Sequence, residues 1–267
     1  MPYLQLSYKR IHYTDHPPTN TTTPRATLIL HHGLGSSQNY YAALIPHLTS
    51  LSYRCIAFDT TGAARSPHTQ IEQSIPSLAA DVLALLAHFA IPRAVIVGHS
   101  MGAMVASHLC ATHPEKFLAA VLIGPVHPGP EIAAAFQKRI QLVTEQGMEA
   151  MANTVPSSAT AASASPLARA WIREVLLAQD KWGYVSNCNV IANAQPPRYA
   201  DVRCPVLVLH GDEDKSAPME RAEIVLRELG SGEKRLEVLP ETGHWHCVER
   251  PGECGRLMGE FLEGLSV

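Results

Sequence analysis

The chain has 267 residues, 46% of them hydrophobic and 17% charged, with a formal net charge of -3. This globular balance fits one domain with an insertion, long enough to bury a sizeable core without disulfide staples, so the six cysteines, with no CxxC pair among them, read mostly as buried thiols. The small negative charge excludes a general electrostatic drive toward nucleic acid or an anionic membrane, and the expected partner is a small molecule.

Residues 1–10 alternate polar and apolar side chains without the apolar core of a signal peptide, and no run of about 18 apolar residues follows anywhere. The expectation is a soluble cytoplasmic protein. The Asn20-Thr21-Thr22 sequon is the one hint of secretion, and such triplets arise often by chance. Residues 4–13 are a candidate antiparallel edge hairpin, and the Pro- and Thr-rich stretch 17–24 is a loop.

Short β-branched or aliphatic runs at 27–31, 55–58, 94–97, 119–123 and 206–210, with a weaker one at 235–238, read as buried parallel strands. Helical patterns lie between them, clearest where Leu78, Val82, Leu85, Leu86 and Phe89 fall on one face. Alternation of β and α predicts an α/β fold: a mostly parallel central sheet flanked by helices. The alternation breaks between 127 and 197, where apolar spacing stays helical and no strand run appears. Pro125, Pro128 and Pro130 open this inserted helical segment, and Pro196 and Pro197 close it. Its Ala- and Ser-rich part, 152–166, reads as a loose loop between ordered helical patterns.

The strand at 94–97 runs into Gly98-His99-Ser100-Met101-Gly102, and a helical pattern follows. This is G-x-S-x-G in the context its chemistry needs. A serine on a sharp strand-to-helix turn sits in strained backbone, and a Cβ two residues to either side would collide with the neighbouring strand and helix. The turn also puts the Ser100 hydroxyl at a helix N-terminus, where free N–H groups and the dipole favour developing negative charge.

From His31-His32-Gly33-Leu34-Gly35 through this turn to Gly243-His244, the chain resembles the α/β-hydrolase superfamily over almost its whole length, and looks closest to the capped lactonase and esterase branch that includes 3-oxoadipate enol-lactonases. The resemblance implies residues 1–126 and 197–267 as the hydrolase core and 127–196 as a helical cap. It makes Ser100 the nucleophile, and the N–H groups of Leu34 and Met101 the oxyanion donors. Physical chemistry asks for the same: two preorganised donors where charge appears. Gly211-Asp212-Glu213-Asp214-Lys215-Ser216-Ala217-Pro218 is similar to the family's acid loop, with Asp214 at the acid position. Pro240-Glu241-Thr242-Gly243-His244-Trp245 resembles its histidine turn, and the order Ser100, Asp214, His244 is the α/β-hydrolase order. The family pattern D-x-x-G-x-G-x-S is broken at Ala64, which leaves Asp59 as a brace for that loop.

The division of labour follows from acidity. A serine hydroxyl is a poor nucleophile until a base takes its proton, imidazole has the right pKa to take and return it, and a carboxylate fixes the imidazole tautomer. No metal or organic cofactor is needed. Within the acid loop, Asp212 is expected to hold the turn and Glu213 to face solvent. His31 and His32 read as loop braces and His99 as packing beside Ser100. Neither a zinc site at His244 and His246 nor Cys247 as nucleophile has the neighbours it would require. Trp171, Trp182 and Tyr184 in the insertion are candidate substrate contacts, with core packing the plainer reading. Lys138, Arg139, Arg169 and Arg173 either bind a substrate carboxylate or are simply solvated.

The expected function is hydrolysis of a carboxylic ester or lactone through an acyl-enzyme. Two alternatives stand beside it: C–C bond hydrolysis of a diketone, and a small-molecule receptor that keeps the hydrolase fold. Ser100 itself argues against dehalogenases and epoxide hydrolases, which carry an aspartate at that turn.

Overall fold

Residues 2–265 are described by a computed structural model. The hairpin β1 (Tyr3–Leu6) and β2 (Lys9–His16) is antiparallel, as its alternation predicts, and β2 also pairs antiparallel with β4 (Arg54–Phe58). All further pairings are parallel. With β3 (Thr27–His31), β5 (Ala94–His99), β6 (Phe117–Ile123), β7 (Val206–Gly211) and β8 (Lys234–Leu239), the sheet order is β1-β2-β4-β3-β5-β6-β7-β8. Each of the six parallel strands contains the run read from the sequence.

The central strands are buried on both faces, and alternate residues feed two separate cores. Leu28, Leu30, Val95, Val97 and Val121 pack against α1 (Ile45–Ser50) and α10 (Pro251–Gly264). Ile29, Ile56, Ile96, Leu122 and Val208 pack against α2 (Ile75–His88), α3 (Met101–Thr112) and α8 (Met219–Glu228). Helix α2 starts on a capping box at Ser74 and Ser77, with Pro76 in its first turn, and buries Leu78, Val82, Leu85 and Leu86. Beneath it, Lys9 Nζ meets both carboxylate oxygens of the buried Asp81 at 2.8 and 2.9 Å, and Thr61 Oγ1 donates to Asp81 Oδ2.

Between β6 and β7 the chain forms α4 (Pro130–Gln146), α5 (Met148–Ser158), α6 (Pro166–Leu177) and α7 (Lys181–Ala192). The loop expected at 152–166 is half helix: α5 continues to Ser158, because alanine is the best helix former and composition alone does not separate an alanine-rich helix from a linker. The remainder is not loose. Arg169 donates to Thr160 Oγ1 and to the carbonyls of Ala161 and Ala162.

Helix α7 and the link that leads into it from α6 rest on loops at the carboxyl ends of the strands, the end at which Ser100 follows β5. Gln179 donates to Ser36 O and accepts from the Ala64 N–H, and Asn187 donates to Thr61 O. Gly183 of α7 lies so close to the loop after β4 that a Cβ there would stand 2.1 Å from Gly62 O.

Histidines line the same end. His31, His32, His99, His210 and His246 are all buried. Desolvation lowers each below the usual imidazole value, His31 to about 3 and His246 to about 4; next, His32 adds to the lowering of His31, whereas the Asp214 carboxylate opposes that of His246. His32 is held as a neutral bridge: Nδ1–H donates to Gly33 O and Nε2 accepts from the Thr60 N–H. Asp59 braces its loop as expected, accepting from the Gln38 and Arg65 N–H groups.

Two outcomes follow from this packing. Alanine has about 1 kcal/mol better helix propensity than glycine, yet Gly183→Ala should lower stability by about 1–3 kcal/mol, because the methyl meets backbone that cannot turn aside; a thermal melt at or above wild type would contradict the contact. Below pH 6.5 the unfolded chain protonates histidines that the folded protein keeps neutral, so the unfolded state binds more protons. Stability should therefore be complete above about pH 6.5 and fall as pH drops toward 4, by about 1 kcal/mol per pH unit for each such histidine. Urea midpoints measured from pH 7.5 to 5 check this, and a flat series would refute it.

Candidate active site

Ser100 stands between β5 and α3 with φ 53° and ψ -112°, a left-handed backbone that residues with a Cβ rarely adopt. The glycines on either side make it possible. A Cβ on Gly98 would lie 2.2 Å from Gly102 O, and a Cβ on Gly102 would lie 2.2 Å from His31 O on the neighbouring strand. The Ser100 N–H donates to Ile123 O at 2.9 Å, which locks the turn to the end of β6. Met101 opens α3, so its N–H has no intrahelical acceptor and is free to meet negative charge.

Asp214 and His244 come together from loops 30 residues apart in sequence. His244 Nδ1 lies 2.7 Å from Asp214 Oδ2, and the other carboxylate oxygen accepts from the Ser216 and Ala217 N–H groups, each at 2.9 Å. A carboxylate only accepts, so Nδ1 carries the proton and Nε2 is left to receive one. Burial alone would raise the Asp214 carboxyl; the charge and hydrogen bond of His244, then His246 and the Ala217 N–H, hold it below the usual carboxylate range instead. The pair abuts the serine turn. A Cβ on Gly124, the residue after the Ile123 that holds Ser100, would come within 3.3 Å of both His244 Nδ1 and Asp214 Oδ2. Ser100 is 8% exposed and the His244 side chain 12%, so the site is nearly sealed.

His99 stacks on Tyr40 with ring centroids 4.3 Å apart, and its Nε2–H donates to His244 O at 2.8 Å. It packs beside Ser100 as expected, and it also positions the histidine turn. His246 adds a second bond to the same carbonyl from Nδ1, at 2.9 Å. The turn bearing Leu34 runs against His99: a Cβ on Gly33 would stand 3.1 Å from His99 O, the carbonyl just before Ser100. The turn that carries Leu34 thus touches the residue before Ser100, and Met101 is the residue after it.

The insertion aromatics separate. Tyr184 is buried against Gly35 of the same turn, and Trp171 meets Trp245, the neighbour of His244, edge to face at 6.0 Å. Trp182 is 54% exposed and lines an outer groove of about 720 Å³ with His68, Gln70 and Ile71, so it does not share the Ser100 site. Its period on α7 matched that of buried residues, but it falls on the solvent side with Lys181 over its ring. Arg169 is committed to the loop carbonyls around Ala161.

Asp212 holds the histidine turn by accepting from the Thr242 N–H at 3.2 Å. Glu213 does not simply face solvent: its Oε2 accepts from the Ala162 N–H at 3.0 Å, because loop 159–162 of the insertion folds over the acid loop. Sequence reasoning also missed Glu249, at the end of the short helix α9 (His246–Glu249), whose carboxylate accepts three backbone N–H groups. Only its place five residues after His244 signalled it. Among the described residues, no three His, Cys, Asp or Glu side chains are grouped to hold a metal ion, and no helix is long and apolar enough to cross a membrane.

Comparison with known proteins gives the family. A family profile described as the alpha/beta hydrolase fold matches residues 26–251. The chain is 30% identical over 231 residues to 3-oxoadipate enol-lactonase 2 of Acinetobacter baylyi, covering 85% of each chain. It is 29% identical over 260 residues to a protein provisionally named a carbamate hydrolase in Escherichia coli O6:H1, covering 94% of this chain and 91% of that one. The crystal structure of the enol-lactonase from Burkholderia xenovorans LB400 superposes with a TM-score of 0.89 at 26% identity, covering 98% of this chain and 100% of that one. With a profile spanning most of its length and a lactonase relative along 85% of it, the chain belongs to the α/β-hydrolase fold family, in the lactonase and esterase branch that its motifs resemble.

Proposed function

We propose that the chain hydrolyses a carboxylic ester or lactone of a small molecule through an acyl-enzyme on Ser100, with His244 as general base and Asp214 as the acid that orients it. The observation that carries this reading is the 2.7 Å bond from His244 Nδ1 to Asp214, in a pair packed on Gly124 directly beside the residue that fixes Ser100. His244 Nε2 takes the proton as Ser100 Oγ attacks the carbonyl carbon. The N–H groups of Leu34 and Met101 receive the oxyanion, and the departing alkoxide takes the proton back from His244; in a lactone it stays tethered to the acyl group. Water then attacks the acyl-enzyme by the same route, releasing the acid and restoring Ser100. The enol-lactonase likeness supports an ester or lactone carbonyl, and the carbamate-hydrolase relative supports adding a carbamate to the substrates tried.

Residues 127–196 act in this reading as a cap over the core formed by 1–126 and 197–267. The support is where parts of it rest: Gln179 and Asn187 on the loops after β3 and β4 and, through Ala159 O and the His244 N–H at 2.8 Å, the end of α5 on the histidine turn. Such a cover excludes water from the reacting carbonyl and controls entry.

A panel of p-nitrophenyl esters, five- and six-membered lactones, an aryl carbamate and a 1,3-diketone tests the reading. Steady turnover of esters or lactones is expected. A single slow turnover with lasting modification would point to a receptor instead, and diketone cleavage alone to C–C hydrolysis. Ser100→Ala should keep the fold and lose turnover by about a million-fold, as in related triads; a purified variant with a tenth of the activity would rule Ser100 out as nucleophile. Asp214→Asn should cost about 10⁴ in turnover through loss of tautomer control. The exposed Asp212 makes one bond to the Thr242 N–H, so Asp212→Asn should cost no more than about 1 kcal/mol of stability and little activity. Kinetics and melts of both variants settle which carboxylate serves His244, and the reverse pattern would make Asp212 the acid.

A further inference from the structure

Both flanks of His244 hang from one carboxylate. Glu249 Oε2 accepts from the Gly243 N–H at 3.1 Å and Oε1 from the Trp245 N–H at 2.9 Å. The same Oε2 accepts from the Ala161 N–H at 2.8 Å, so Glu249 also grips loop 159–162 of the insertion. That loop is shaped to be gripped: Arg169 pulls on the Ala161 and Ala162 carbonyls, and Gly243 approaches Thr160 so closely that a Cβ would stand 2.6 Å from its Cα. Three donors on two oxygens call for an ionised acceptor. Burial raises the Glu249 carboxyl, and the three N–H groups and the nearby His244 pull it back. Around His244 itself stand Asp214, His246 and His99; Glu213 reaches the same loop at Ala162, and Arg250 is turned outward to Glu241.

We infer that Glu249 is a positioning residue for His244: its carboxylate fixes the histidine turn from both sides, docks the insertion onto that turn, and favours the imidazolium by its charge. The inference rests on the reading of His244 as the base. It makes the insertion part of the machinery that aims the imidazole, and not only a wall for substrate.

The test is the hydrolysis of p-nitrophenyl acetate from pH 5 to 9 by wild type, Glu249→Gln, Glu249→Asp and Ser100→Ala, each with a thermal melt. Glu253→Gln, which removes an exposed carboxylate from α10, serves as the charge control. Glu249→Gln should lower kcat about tenfold to a hundredfold with KM little changed, the size of loss expected when reacting groups are misplaced by about 1 Å. Its acid limb in kcat/KM should move to lower pH, since one negative charge no longer favours the protonated base. Glu249→Asp keeps the charge but is one methylene too short to span three donors, so kcat should fall while the limb stays. Glu253→Gln should change neither.

A folded Glu249→Gln with wild-type kcat and an unmoved limb would overturn the inference, as would a loss that only follows the unfolded fraction in the melts. Should Glu249→Gln fail to fold, Glu249→Asp decides: reduced kcat with the limb in place supports the inference, and wild-type kcat overturns it. Absence of wild-type turnover, or its survival in Ser100→Ala, overturns the reading of the triad itself, whereas loss in Ser100→Ala with unaffected Glu249 variants overturns the role of Glu249 alone.

Discussion

Ser100 holds its backbone at φ 53° between two glycines, and the rest of the site is arranged around that one turn. Such a conformation costs on the order of 1–3 kcal/mol and persists only where its surroundings leave no alternative. Here β5 is buried along its whole length between β3 and β6, the Ser100 N–H is bound to Ile123 O, and Ser100 O accepts from the Ala103 and Met104 N–H groups of α3. The strain is thus carried by the most rigid part of the fold. What results is a hydroxyl whose position relative to the sheet is fixed before any ligand arrives.

Burial then sets the electrostatics. A carboxylate as enclosed as Asp214 must be compensated, and its two backbone donors and His244 supply that compensation with nothing left over. His246 Nε2 lies 3.9 Å from Asp214 Oδ2, beyond hydrogen-bond reach, and its Nδ1–H is spent on His244 O. Desolvation keeps the five surrounding histidines neutral, and His244 is paired to a carboxylate, as His12 is on β2, whose Nδ1 lies 3.0 Å from Asp59 Oδ2. Several histidines at one end of a sheet look alike in sequence. Their hydrogen-bond partners set His244, bonded to a carboxylate, apart from His31, His32, His99 and His246, which bond backbone.

The parallel strands were legible because each is a short aliphatic run, and the strained Ser100 turn and the Asp214–His244 contact because each of these residues sits in a motif next to such a run. The insertion was legible as helical and bounded by prolines, but not in its contacts. Alanine-rich residues 152–158 gave no amphipathic contrast to separate helix from loop, and Trp182 shared a helical period with buried neighbours while facing out. Glu213 and Glu249 were invisible for a different reason. Their partners are backbone N–H groups, of Ala162 for one and of Ala161, Gly243 and Trp245 for the other, and a backbone donor leaves no mark on residue identity.

Those ties join the insertion to the loops that carry Asp214 and His244. Ser100 rides on a strand and a helix, which are stiff, whereas Asp214 and His244 ride on loops that follow two different strands and need outside support to keep a 2.7 Å bond. Part of the support passes directly between them, from Asp212 to the Thr242 N–H and from the Glu213 N–H to Thr242 O. The rest comes through loop 159–162, which takes Glu213 from the acid side, Glu249 from the base side, and the His244 N–H on Ala159 O. One short segment of the insertion is therefore braced against both loops at once. A change in the insertion that moves loop 159–162 therefore also moves the support of the His244 imidazole, because the same few backbone hydrogen bonds serve both.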